Sequence, residues 1–279
     1  MKTGTLFRYD GWMTPSIAPI GALVRSWREQ RHLSQLDLAT EAEISQKHLS
    51  FIESGRSQPS REMVLLLSDH LDVPLRERNQ LLMAAGFAPV FRDRSLDDPA
   101  LTSARATIDR ILKAHEPYPA LTVDRHWTMI AANASVAPFL GTVDPELLKP
   151  PINVMRLSLH PRGLAPLIIN YAEWRAHLLD RLRRQLRLTR DPVIDALLKE
   201  LSSYQREKTK DAERVPPGLH EEIAVPLRIR SHAGNLSLIS TITVFGTPTE
   251  ITLSELSLEA FYPADDTTAE ALRQLAKRA

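Results

Sequence analysis

The chain has 279 residues, too many for one small domain and comfortable for two, and its 43% hydrophobic and 25% charged residues suit a globular protein with a buried core. Net charge is +1, so no global cationic excess announces nucleic acid, and a DNA-binding surface has to come from where the charges sit. Cysteine is absent, which excludes disulfides, thiolate metal sites and cysteine nucleophiles and fits a reducing cytoplasm. The opening MKTGTLFRYDGWMTPS lacks the apolar core of a secretion signal. The longest apolar runs, such as Met63 to Leu67, fall far short of the roughly 20 residues that span a bilayer, so the expectation is a soluble, cytoplasmic protein without membrane insertion.

Residues 1–18 mix Gly, Thr and Pro without periodicity and read as a flexible tail. From Ile20 to Gly86 the pattern is helical, beginning with Ile20, Leu23, Val24 and Trp27 at helical spacing. Ser34 with Asp37 three residues on is a capping-box start, and Ser45 and Ser60 can cap the next two helices. Pro74 suits the first turn of a fifth helix that ends at Gly86. Residues 19–90 therefore read as an all-α, five-helix domain, and the charged, proline-bracketed stretch 91–99 as a linker.

Residues 100–279 read as an α+β domain. A helix over Ala100–His115 carries Leu101, Ile108, Ile111 and Leu112 on one side. The period then changes, with short strands at Tyr118–Val123 and Trp127–Ala131 around the polar turn Asp124-Arg125-His126, and Asn133 placed to cap a short helix through Leu140. Pro145 to Gly163 is proline-rich and irregular. Helices follow over Leu164–Leu188 and Pro192–Tyr204, then a mobile charged loop over 205–220. Three β-rich runs, Ile223–Arg230, Leu236–Phe245 and Ile251–Tyr262, precede a closing helix from Asp266.

The stretch Gln35 to Ile52 carries the sharpest functional signal. Two helices crossing steeply through a very short turn need a small residue where they touch and apolar residues at fixed offsets. With Gln35 as the first position, Ala39 is fifth, Ile44 tenth, Leu49 fifteenth and Ile52 eighteenth, each of the required type. That fixes the outward face of the second helix, so Ser45, Gln46, Lys47, His48, Ser50 and Phe51 are expected at the major groove. Gln46 can pair bidentately with adenine, Lys47 can donate to guanine or phosphate, and the edge of Phe51 suits a thymine methyl. Gln35 and Arg56 flank the helix at positions suited to phosphates.

This region resembles the Cro/C1-type (Xre) helix-turn-helix family through R-x-x-R-x-L-S-Q at Arg28 to Gln35, Leu38–Ala39, and I-E-x-G-R-x-x-P from Ile52 to Pro59. The resemblance implies a buried ion pair between Arg28 and Glu53 and a phosphate contact at Gln35. The turn position that is usually Gly in that family is Glu43 here, which at positive φ costs about 1 kcal/mol.

In the second domain, Asn153 to Leu178 sets Arg156, His160, Asn170, Arg175 and His177 among apolar and aromatic residues including Trp174. Charges so embedded are paired or turned to water. Two readings stand: Arg156 and Arg175 bridge acids such as Glu173, or Arg156, His160, Asn170, Trp174 and Arg175 surround the polar end of a ligand in an apolar pocket. Trp127, Leu157, Leu159, Trp174, Phe245 and Phe261 each read as packing residues before ligand contacts, and the basic run Arg181, Arg183, Arg184, Arg187 and Arg190 as a solvated face. The order NVMRLSLHPRGLAP, NYAEWRAHLLDRLRR, STITVFGTP and LEAFYPAD resembles the MmyB-type ligand-binding domain from about Ala100 to Ala271. PALTVDRHWTMIAAN has the strand-turn-strand-helix order of PAS-like sensors. The resemblance implies a PAS-like sheet flanked by helices, a small lipophilic, fatty-acid-like effector, and a homodimer.

No H-E-x-x-H, P-loop, G-x-S-x-G or G-x-G-x-x-G pattern occurs, and His160 and His177 are not spaced as a helical metal pair, so neither catalytic residues, metal nor cofactor is expected. The expected function is a transcriptional regulator that binds a double-stranded DNA operator under control of a ligand. The alternatives are a second domain that only dimerises or docks a partner, and an enzyme tethered to DNA.

Overall fold

The computed structural model describes residues 18–204, 225–245 and 250–277. The expected tail up to residue 17, the charged loop over 205–220 and the break at Gly246–Thr249 lie outside the described residues. The chain divides into two compact units, Met1–Arg92 and Asp93–Ala279.

The first unit holds five helices: α1 (Ile20–Gln30), α2 (Gln35–Glu41), α3 (Gln46–Glu53), α4 (Arg61–His70) and α5 (Leu75–Ala84). Their starts follow local chemistry. The Ser34 hydroxyl accepts from the Asp37 N–H while the Asp37 carboxylate accepts from the Ser34 N–H, and Ser45 and Ser60 cap α3 and α4. Pro74 stands one position before α5, as its N-cap residue. All five helices end alike, with a left-handed residue one past the cap: His32, Glu43, Gly55, Asp72 and Gly86. After α2, the Ile44 N–H reaches the Ala39 carbonyl and the Glu43 N–H that of Thr40, so the end of the helix satisfies its own carbonyls. Only two of these five positions are glycine, so this unit tolerates strain at three of its helix ends.

Between the helices lies one apolar core, in which Ala39, Leu49 and Ile52 are buried and Ile44 is half-buried at its edge. Gly21 permits a close approach of two backbones. A Cβ there would stand 2.3 Å from the Ile52 carbonyl oxygen and 2.8 Å from that of Glu53, so α1 rests directly on the last turn of α3. The stretch 91–99 does not stand free. Asn79 accepts from the N–H groups of Val90 and Phe91 and donates to the Phe91 carbonyl. Arg94 pairs with Glu250 at 3.3 Å, and Leu96 joins an apolar cluster of the second unit.

The second unit contains, in order, α6 (Thr102–Ala114), β1 (Ala120–Val123), β2 (Met129–Ala132), α7 (Val154–Leu159), α8 (Tyr171–Thr189), α9 (Pro192–Ser203), β3 (Leu227–Ser231), β4 (Gly234–Val244), α10 (Ile251–Ser254), β5 (Ser257–Pro263) and α11 (Asp266–Ala276), with short 3-10 turns between. The strands form one antiparallel sheet in the order β2-β1-β5-β4-β3, an α+β fold with the first and last strands adjacent at its centre. Register sorts the side chains by face, since Leu121 lies opposite Glu259, and Leu227 opposite Leu238. One face packs Leu121, Val123, Leu227, Ile229, Leu236 and Leu238 against Trp174, Leu178 and Leu182 of α8, with α9 behind. The other sets Ala120 and Ala260 against Ile108 and Leu112 of α6.

Several sequence expectations need correction here. Ile111 is exposed rather than part of the α6 stripe. Asn133 does not cap the helical turn after it; its side chain instead accepts from the Ala120 N–H and donates to the carbonyls of Leu112 and Tyr118, joining the end of α6 to β1. The proline-rich stretch contains α7, capped by Asn153. Helix α8 begins seven residues later than the periodicity suggested, because Pro166 breaks the pattern and Leu167–Ile169 bonds instead along the edge of β3. The run Ile251–Tyr262 is not one strand. Its first turn is α10, tied down where the Thr252 hydroxyl meets the Arg94 carbonyl.

Candidate nucleic-acid interface and ligand cavity

Helix α3 is clamped from inside by Leu49 and Ile52, both fully buried, and by Glu53. The Glu53 carboxylate is wholly inaccessible and receives Arg28 Nε at 2.6 Å, Arg28 Nη2 at 2.9 Å, Gln35 Nε2 at 2.8 Å and Arg25 Nε at 3.3 Å. Burial pushes its pKa up, but the donated bonds of Arg28 and Gln35 outweigh burial and hold it below the usual carboxylate value. The same contact raises the pKa of the Arg28 guanidinium. The ion pair implied by the family resemblance is therefore present, joining α1 to α3. The half-buried Gln35 amide spends one of its two N–H donors on Glu53, a partner that sequence reading had not assigned to it.

Outside the clamp, Ser45, Gln46 and Lys47 are exposed, and His48, Ser50 and Phe51 half-buried. The Ser45 hydroxyl is engaged as the α3 cap, accepting from the His48 N–H at 3.1 Å. Phe51 lies between two cations, with Lys47 Nζ and Arg56 Cζ each 5.7 Å from its ring centroid. The ring thus steadies two long basic side chains on the outer surface of α3, a role that sequence reading missed although Lys47 and Phe51 stand four apart on one helix face. Gln46 and Lys47 carry the donors and acceptor expected of groove-reading side chains, and Arg56 remains exposed beside them.

In the second unit, an apolar cavity of about 90 Å³ lies between the sheet and the α7–α8 layer. Leu121, Phe139, Leu157, Trp174, Ile229 and Phe261 are among its walls. Among the described residues Ser158 is the one hydroxyl- or charge-bearing side chain in the lining, and its hydroxyl is engaged by the Trp174 indole N–H at 3.0 Å. Trp174 offers the cavity only its ring.

Of the five side chains expected around a ligand, Trp174 alone lines this cavity. Arg156 forms a two-pronged pair with Glu200, at 2.7 and 2.8 Å, which lowers the Glu200 pKa and raises that of Arg156. Tyr204 donates to the same carboxylate, and burial together with that bond pushes its phenol pKa up. His160 stands edge-on to Tyr204 and accepts from the Arg162 N–H; burial, then Arg162, lowers its pKa. Asn170 bridges backbone, accepting from the Arg228 N–H and donating to the Pro226 carbonyl and to Glu173. Arg175 donates to the Ser202 carbonyl at 2.7 Å at the end of α9. Polar residues crowded in sequence are here spent on joining helices to one another and to the sheet. Conversely, Leu157, Trp174 and Phe261, each read first as a packing residue, are cavity walls. In the basic run, Arg181 pairs with Glu259 and stacks 4.4 Å over Trp127, while Arg183, Arg184, Arg187 and Arg190 are exposed.

Comparison with known families accounts for both units. Residues 24–78 match the helix-turn-helix family, and residues 104–275, more than half of the chain, match the MmyB-like transcription regulator ligand binding domain. The chain belongs to the MmyB-like transcription regulators. No curated protein matches it. This MmyB-like regulator is a DNA-binding transcription regulator with a ligand-binding domain, both matched families being regulatory. Among its described residues no helix is long and apolar enough to cross a membrane, and no three His, Asp or Glu side chains converge as a metal site.

Proposed function

We propose that this regulator acts in the cytoplasm as a homodimer that reads a roughly palindromic operator through α3, and that a small lipophilic, fatty-acid-like ligand in the second unit sets its affinity for that operator. The observation that carries the DNA half is the exposure of Gln46 and Lys47 on a helix whose opposite side is locked by Leu49, Ile52 and the Glu53 ion pair. The apolar cavity beside Trp174 supports the ligand half. Half-sites are expected about 34 Å apart or at a multiple of that spacing. A ligand shifts operator binding only as far as it binds the two conformations unequally.

Selection of DNA sites from a random pool gives the operator, and the double variant Gln46→Ala, Lys47→Ala then tests the reading helix. It is expected to lose about 1–3 kcal/mol per base contact and to relax specificity at those positions. Equal binding of every site by variant and parent sinks the placement of α3. Organic extraction of purified protein with mass spectrometry tests the ligand. The rival, a second unit that only dimerises or docks a partner, draws on exposed apolar side chains of the sheet, Ile239, Ile242, Val244 and Tyr262. It gains if no apolar acid co-purifies and lipids leave the melting temperature unchanged.

A further inference from the structure

The two cations that share the Phe51 ring differ from other cations resting on rings in the first unit. Arg31 lies against Trp27 and also donates to the carbonyls of Leu71 and Asp72, and Arg78 lies against Phe91 and also engages Asp69 and the Val73 carbonyl. Neither Lys47 nor Arg56 has a hydrogen bond or ion pair to its charged end among the described residues. With each 5.7 Å from the ring centroid, they stand at most twice that distance apart. Two like charges held so close with no acid paired to them repel, and an anion entering beside them reverses the sign of the interaction. The backbone sets the place of Arg56. Gly55, at φ 74°, turns the chain after α3, and the N–H groups of Arg56 and Ser57 both return to the Phe51 carbonyl, at 2.8 and 3.1 Å. Arg56 is thus bonded to the residue whose ring it touches. Direction sets the place of Lys47. Helical side chains lean toward the N-terminus. Lys47, second in α3, instead brings its Nζ to a ring one turn further on, the same ring that the guanidinium beyond the helix reaches. Bases are read from the N-terminal turn of such a helix, where Gln46 stands exposed, its amide without a partner among the described residues.

We propose that Lys47 and Arg56 form one clamp on the phosphate backbone of the operator, that Phe51 positions both, and that base reading from the start of α3 falls to Gln46. This rests on the DNA-binding reading above and divides its labour. Lys47 gives affinity for any duplex, because a phosphate contact carries no sequence information, and Gln46 gives choice among sequences. Phe51 becomes a positioning residue that acts through the two cations rather than a contact to a thymine methyl. Its ring face attracts each cation electrostatically, which limits the positions the two long side chains sample before DNA arrives.

The test uses the full chain with two duplexes, the operator obtained by site selection and a scrambled sequence, titrated by fluorescence anisotropy over a range of salt. Lys47→Ala is expected to weaken both duplexes by the same factor, to reduce the slope of log K against log salt by about 1, and to leave the selected sequence unchanged. Gln46→Ala is expected to keep the parent slope and to lose preference at a base position. Phe51→Leu keeps apolar bulk and removes the ring face. It is expected to weaken operator binding about 5- to 10-fold, the scale of two exposed cation–ring contacts, and Phe51→Tyr to restore it. That loss is expected to vanish where Lys47 and Arg56 are already alanine, a coupling that a merely structural role of Phe51 would not show. Relaxed choice at a base position in Lys47→Ala, with the parent slope, overturns the clamp and leaves α3 as the reading helix. A Phe51→Leu loss that persists without the two cations, or that is confined to sites carrying one particular thymine, overturns the positioning role. Binding of neither duplex by the parent overturns the DNA-binding reading itself.

Discussion

The two units handle buried polarity in opposite ways. In the first, a carboxylate with no solvent exposure, Glu53, is placed at the centre and surrounded by donors from α1 and α2, so charge itself fixes the angle at which α3 is held. In the second, charged pairs such as Arg156–Glu200 stay toward the surface, at 43% and 35% exposure, and the centre beside Trp174 is left apolar and incompletely filled. A recognition helix needs one rigid presentation to its target, and a buried ion pair gives it because alternative packings would strand the charge. A ligand domain needs space that its own side chains do not occupy, and apolar walls leave that space empty of water.

The largest expected effect tests the first half of that contrast. Arg28→Ala leaves the Glu53 carboxylate buried without its main partner and is expected to cost about 3–5 kcal/mol, measured by urea unfolding of the first unit. Arg156→Ala at the exposed pair is expected to cost no more than about 1 kcal/mol. Similar losses at the two sites would erase the distinction.

Backbone contact sharpens it next. Gly21→Ala drives a Cβ into the carbonyls that end α3, and Gly163→Ala drives one to 2.3 Å from the Leu157 carbonyl beside the cavity. Each is expected to cost about 1–3 kcal/mol. The first should also weaken operator binding, and the second ligand binding, in gel-shift and calorimetric assays.

Acid gives a smaller, graded effect. The folded pKa of Glu53 is held below the unfolded value of 4.5, so its contribution is complete above that pH and is lost as pH falls below it, where the unfolded chain takes up the proton first. Stability profiles between about pH 5 and pH 3 are expected to flatten more in Glu53→Gln than in Glu200→Gln, because solvent screens the exposed pair. The smallest effect concerns Glu43, at φ 54° in the turn between α2 and α3. Glu43→Gly relieves roughly 1 kcal/mol of left-handed strain but loosens the unfolded chain by nearly as much, for a net gain of about 0.5 kcal/mol or less in melting experiments.

Much of the first unit was legible in the sequence because its determinants are close along the chain. Ser34 and Asp37 are three residues apart, and the offsets from Ala39 to Ile52 fall within four helical turns, so periodicity and capping chemistry mark them directly. The outward placement of Gln46 and Lys47 follows from those offsets. What escaped was the choice of partners: nothing local says that the Gln35 amide meets Glu53, 18 residues on.

In the second unit the sequence by itself determined the α+β class, most of the strands and helices, and the family. The partners were decided only by tertiary structure. Arg156 meets Glu200 across 44 residues and Arg181 meets Glu259 across 78, choices made among many acids by how α7, α8, α9 and the sheet come to lie together. The cavity is likewise invisible in one dimension, since its walls run from Pro119 to Phe261 and each apolar wall residue carries the same pattern as a packed one. Hydrophobic periodicity records which face of an element turns inward; whether that interior closes completely depends on the fit between elements distant in the chain.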